Sequence, residues 1–265
     1  MTDFRLFTGR TLSRTALAAC GLAVAAATPA AAQPSVDQGL AIGQMPGRES
    51  VPVSSIMIDR LRPMALQSTP AKARYSTPNG DQFELDRRER VAFFRHADSA
   101  EVEVLDIKSG ARGDYFLKND IGRVVVRITH LGGVIWFPSD APGGRPAFAD
   151  EEIEPIALAS APADLSLELQ SLADDALDVT QDGFQIEVTS DAATDAALVA
   201  DAVACAIKGL KAAGDAAENV RKLSVVTERR PDVRFRDGVL TVSIKPETGF
   251  QGRPSSAKIA HALGA

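Results

Sequence analysis

The stretch with the clearest mechanism attached is Ser255-Ser256-Ala257-Lys258, an S-x-x-K spacing near the C-terminus. On a helix this spacing carries a lysine amine towards a serine hydroxyl, which the amine could deprotonate for nucleophilic acyl transfer. Pro254 just before it suits a helix start. The companion elements of cell-wall acyl enzymes, S-D-N and K-T-G, are missing, and Pro246-Glu247-Thr248-Gly249 holds an acid where the lysine should stand. Ser255 and Lys258 therefore stand as catalytic candidates on spacing alone. The plainer expectation is that Ser255 and Ser256 cap backbone N–H groups left free at a helix start.

The other reactive side chains form no set. His96, His130 and His261 are far apart, and none lies at metal-ligand spacing with another His or Cys. They are expected at surface or edge positions, and no metal or cofactor site is read. Cys205 falls close to the apolar stripe of an Ala-rich helix, where a structural, buried thiol is expected. Asp174 and Asp175 are neighbours, so on a helix they point about 100° apart and suit a solvated face rather than an acid/base pair. Gly132-Gly133 and Gly143-Gly144 lack the Lys or helix start of a phosphate loop and read as turns.

The elements that would position these groups centre on residues 113–137, GDYFLKNDIGRVVVRITHLGGVIWF. Two β-branched or aromatic runs are split by Asn119-Asp120-Ile121-Gly122, the form of a hairpin whose Gly122 takes a positive φ. Val124, Val126 and Ile128 share one face; Val125, Arg127 and Thr129 share the other, which is expected to be part solvated. Further strands are expected at 71–75, 82–85, 91–95 and 102–107, with Asn79-Gly80 turning between the first two. This spacing predicts a small antiparallel β-sandwich or open barrel over 71–138.

Five of the 15 prolines fall between 138 and 162, with Gly143-Gly144 and the acidic run Asp150-Glu151-Glu152, so 139–162 reads as a linker. An α/β domain with two main helices is expected over 163–265. Leu165, Leu169, Leu172 and Ala176 recur at helical spacing; Phe184, Ile186 and Val188 alternate as a strand. A helix over 194–213 carries Val199, Val203, Ala206 and Leu210 on one stripe. Strands follow at 223–228, 233–235 and 239–244, with Asp237-Gly238 as a hairpin turn, and a short helix closes the tail. The fold class is thus α+β.

Composition sets bounds. Hydrophobic residues make up 45% of the 265 and charged ones 24%, ordinary values for a globular chain. Arg5, Arg10 and Arg14 followed by an Ala/Leu/Val core and Ala30-Ala31-Ala32 form the three regions of a signal peptide over 1–32, cleaved before Gln33. Leu17-Ala18-Ala19-Cys20 matches a lipid-attachment box, but too few apolar residues separate it from Arg14. Cleavage removes three of 29 basic and one of 35 acidic residues and leaves 233 residues at charge −8. That balance offers no footprint for nucleic acid. Cys205 is then the only cysteine, and no transmembrane segment follows. Residues 33–70, polar with scattered Gly and Pro, read as an extended or disordered lead, with a short helix from Ser54 or Ser55 to Leu61.

With segments 114–138 and 249–259 in view, the chain resembles an uncharacterised secreted bacterial family catalogued as a domain of unknown function. The resemblance rests on FLKNDIGRVVVRITHLGG and GRPSSAKI and covers most of the chain after residue 32. It implies export and a shared fold, and no catalytic or binding residue. The leading functional expectation is an exported, non-catalytic binding or structural module whose partner is an envelope protein or cell-wall component. Two alternatives are a cell-wall acyl-transfer or hydrolytic enzyme using Ser255 and Lys258, and a carrier holding a small apolar ligand between the sheet and the Ala-rich helix.

Overall fold

The computed structural model describes residues 4–5, 66, 68–180, 183–189 and 192–265, with the backbone alone at 4–5 and 192–194. Most of residues 1–70, including the helix expected near Ser54, lie outside the described residues. Near the N-terminus, Phe4–Arg5 (β1) pairs as a short antiparallel strand with Gln185–Thr189 (β10).

Alternating apolar and polar residues produce the strands of the first half. These are Lys72–Ser76 (β2), Gln82–Arg87 (β3), Val91–His96 (β4), Glu103–Ser109 (β5), Tyr115–Lys118 (β6), Val124–Ile128 (β7), Val134–Trp136 (β8) and Arg145–Glu152 (β9). Each pairs antiparallel with the next, and β9 returns to β2, so the eight strands close a barrel. Of the expected sandwich or open barrel, the barrel is what forms, closed rather than open. Closure places β9 inside the stretch expected to be linker. Proline explains why β9 was hard to see: Pro146 pairs only with Ile135 of β8, and pairing with β2 begins at Phe148. A residue without an N–H is tolerated where a strand has a partner on one side.

Gly122 has φ +81°, its N–H donates to Asn119 O, and Arg123 N–H donates to Asn119 Oδ1. Val126 and Ile128 are fully buried, opposite Leu117 and Tyr115. Val125 is buried too, so the second face of β7 is less solvated than its alternation implies. Tyr75, Phe83, Phe94 and Trp136 fill the barrel, with Phe83 5.3, 5.1 and 5.8 Å from the other three rings in that order. An eight-stranded barrel is narrow enough for side chains to plug it.

The second half is a mixed sheet with helices. Leu165–Ala176 (α1) is capped by Asp164, whose Oδ1 accepts from the N–H groups of Ser166 and Leu167. Ala192–Ala213 (α2) crosses from β10 to Lys222–Thr227 (β11), and the two strands run parallel, as such a crossover requires. Asp232–Arg236 (β12) and Val239–Ile244 (β13) form the Asp237-Gly238 hairpin. The sheet order is β1-β10-β11-β13-β12. Ser256–Leu263 (α3) is the short helix expected at the tail. Val199, Val203, Ala206 and Leu210 of α2 pack in one core with Leu223, Val225, Leu240 and Val242. The space assigned to a carried apolar ligand is thus filled by side chains.

Alpha helices 2 and 3 meet at Gly209, where a Cβ would lie 2.7 Å from Ile259 Cβ and 2.8 Å from Ser256 O. That close approach sets the start of α3 in place.

Candidate functional site at the barrel–helix junction

The start of α3 is a row of free N–H donors beside the positive end of a short helix dipole. Ser255 is its N-cap: Oγ accepts from Lys258 N–H at 3.1 Å, while Pro254 stands one residue before the cap. Two further donors, the N–H groups of Ser255 and Ser256, are met from the barrel. Asp120, in the β6–β7 hairpin, accepts Ser255 N–H at 2.8 Å and Ser255 Oγ–H at 2.6 Å. Glu101, just before β5, accepts Ser256 N–H at 2.8 Å and Ser256 Oγ–H at 2.6 Å. Each carboxylate therefore holds one serine by main chain and side chain together.

Lys208 of α2 completes the arrangement. Its Nζ lies 2.9 Å from Glu101 Oε2 and 2.8 Å from Ser99 Oγ. Burial alone would raise the Glu101 carboxyl, but hydrogen bonds from Lys208 and Ser256 outweigh it and hold the group below its usual range. Arg253, almost wholly buried, donates to Val102 O at 3.0 Å and pairs with Asp201 of α2. The guanidinium also sits 5.7 Å from the Phe250 ring centre.

Glu103 is the exception among the acids here. It lies on the same face of β5 as Leu105, half-buried, with no ion pair or side-chain hydrogen bond among the described residues. Burial first, then the neighbouring Glu101 and Asp120 charges, push its carboxyl up to about 7, against the opposing pull of Lys208 and Arg123.

This geometry separates the two S-x-x-K candidates. Ser255 is buried with its hydroxyl donating to Asp120 Oδ1, and the Lys258 amine reaches Asp232 at 3.4 Å. The N–H groups of Ser255 and Ser256, which could otherwise face a developing oxyanion, are already bound to carboxylates. A hollow of about 210 Å³ at this latch of serine–carboxylate contacts is lined by Asp120, Ser255 and Lys258 with Lys118, over Val91 and Val104.

Among the remaining sequence candidates, Cys205 lies near enough to this cluster to feel the charges of Arg253, Glu101, Asp201 and Lys208. His130 and His261 are exposed, and the half-buried His96 ring lies 5.3 Å from Trp136. Cys205 is buried, and burial raises its thiol well above the ordinary value. Asp174 and Asp175 are exposed on α1. Gly132 and Gly144 turn the chain at positive φ. Among the described residues no group of three or more His, Cys, Asp or Glu is placed to hold a metal, and no helix is long and apolar enough to cross a membrane.

Sequence reasoning missed Glu101, Asp120, Lys208 and Arg253, because their partners lie 52 to 155 residues away. The one available signal was that the two segments carrying the family resemblance contain Asp120 and Ser255.

Fold and junction together define a mixed α+β protein, a closed eight-stranded antiparallel barrel joined to a small mixed sheet with helices. The family model described as a domain of unknown function (DUF4908) matches residues 54–263, and the chain belongs to that family. No curated protein and no solved structure matches the chain.

Proposed function

We propose that the protein is exported and acts in the cell envelope as a non-catalytic binding module, its partner another envelope protein or a cell-wall component. The observation that supports this reading is the commitment of the S-x-x-K pair. The Ser255 hydroxyl and N–H both bind Asp120, and the Lys258 amine is drawn to Asp232. A nucleophile needs a base within reach and free donors for the oxyanion, and this serine has its donors spent on fold. The test incubates the protein with a fluorescent β-lactam beside Ser255→Ala and Lys258→Ala variants, and runs a pull-down from envelope extract in parallel. No covalent label and a specific captured partner are expected. Labelling of the parent that both variants abolish would make the protein an acyl enzyme instead.

A further inference from the structure

The chain carries a net charge of −6, yet residues 229–236, RRPDVRFR, hold four arginines against one aspartate. These residues are the edge strand β12 and the turn leading into it. Among the described residues β12 pairs only with β13, so its other side presents main-chain hydrogen-bonding groups without a neighbouring strand. Val233 and Phe235 pack on the second core, while Arg234 and Arg236 are exposed. Arg234 is spent locally, 2.7 Å from Glu228 and 3.4 Å from Asp232. Arg229, Arg230 and Arg236 are exposed and have no ion pair among the described residues. Beside the edge lies a hollow of about 440 Å³ lined by Glu228, Arg229, Arg230, Pro231, Asp232 and Arg234.

Charge on an edge strand commonly serves to prevent pairing. Here it discriminates. A second copy of β12 would bring arginines against arginines, and like charges across a strand pair oppose pairing. An acidic strand would meet the unpaired arginines with opposite charge. From Arg230 to Arg236 an extended chain spans roughly 20 Å, so carboxylates near both ends of a short segment would be matched.

We infer that β12 is a docking edge for an extended acidic segment of a protein partner, added as a further strand with carboxylates at Arg229, Arg230 and Arg236. This names the partner class within the binding-module reading and rests on it. An anionic polymer could satisfy the arginines but would leave the main-chain groups unmet, so strand addition favours a peptide.

The test measures fluorescence anisotropy of a labelled octapeptide of alternating Glu and Val against the full chain. An Arg229→Glu/Arg230→Glu double variant and an Arg236→Glu variant, all at exposed positions, are run beside it after circular dichroism confirms their folds. Saturable binding is expected, weakened about tenfold by each charge reversal and by N-methylation of alternate peptide bonds. Three results overturn the inference: no saturation, unchanged affinity of the N-methylated peptide, or polyphosphate binding as tightly as the peptide. If the peptide fails while the protein stays inert to β-lactam and keeps a pulled-down partner, the edge proposal falls and the binding-module reading stands.

Discussion

At the scale of single residues, Glu103 carries the largest consequence for pH. Its carboxyl is raised from the ordinary 4.5 to about 7, so the folded state holds a proton that the unfolded chain releases. A raised acid adds stability below its unfolded value and loses it as pH climbs towards its folded one. Between pH 4.5 and 7 the parent should therefore lose roughly 3 kcal/mol from this group. Glu103→Gln should match the parent near pH 4.5 and exceed it above pH 7, measured by urea unfolding at both. Parallel pH curves for parent and variant would show that the junction does not perturb the group. Cys205 gives a second residue-scale expectation. At 2% exposure, its native thiol should react slowly with a thiol reagent and the unfolded thiol quickly. Cys205→Asp should cost on the order of 3 kcal/mol or more by burying an unpaired charge.

At the scale of elements, β7 tests the register of the barrel. Val126 is fully buried, so Val126→Asp should unfold the barrel. Arg127 is no idle surface residue: its Nε lies 2.9 Å from Asp114 Oδ2, and Asp114 Oδ1 accepts His130 N–H at 2.8 Å. Arg127→Ala should thus lower the melting temperature measurably, though far less than Val126→Asp; equal losses would mean the register is wrong. The contact between α2 and α3 offers a further test. Gly209→Ala would press a methyl group onto Ile259 and Ser256 O, with an expected cost of about 1–3 kcal/mol. Calorimetry showing no loss would mean α3 can shift without loosening the serine latch.

At the scale of the whole molecule, export is the expectation to check first. A basic start, an apolar core and Ala30-Ala31-Ala32 predict a mature N-terminus at Gln33 without lipid. Intact-mass analysis of periplasmic material decides between this form and two others, a chain retaining residues 1–32 or one with a diacylglyceryl adduct at Cys20. Processing at Gln33 would also remove β1 and leave β10 paired with β11 alone. The acidic body, the serine latch and the arginine-bearing edge then form one division of labour. The latch holds barrel and helices together, and the proposed docking uses the edge the latch leaves out.

What the sequence determined by itself was whatever local hydrogen bonding and side-chain periodicity decide. Apolar runs and alternation placed seven barrel strands, with the third run of the 113–137 stretch, at 134–137, among them, within a few residues of their observed ends. Asn79-Gly80, Gly122 and Asp237-Gly238 were legible because only certain residues adopt positive φ, and Gly80, Gly122, Asp237 and Gly238 all do. Ser255 was legible as a cap because its Oγ bonds an N–H three residues ahead. Tertiary structure alone decided the closure of the barrel and the chemistry of the junction. Closure depends on β9 finding β2 more than seventy residues back in the chain, and Pro146 hides the strand from its own alternation. The junction depends on Glu101 and Asp120 meeting serines 155 and 135 residues away. A carboxylate in a sequence carries no mark of the helix start it will satisfy; only the folded chain brings that partner within 3 Å.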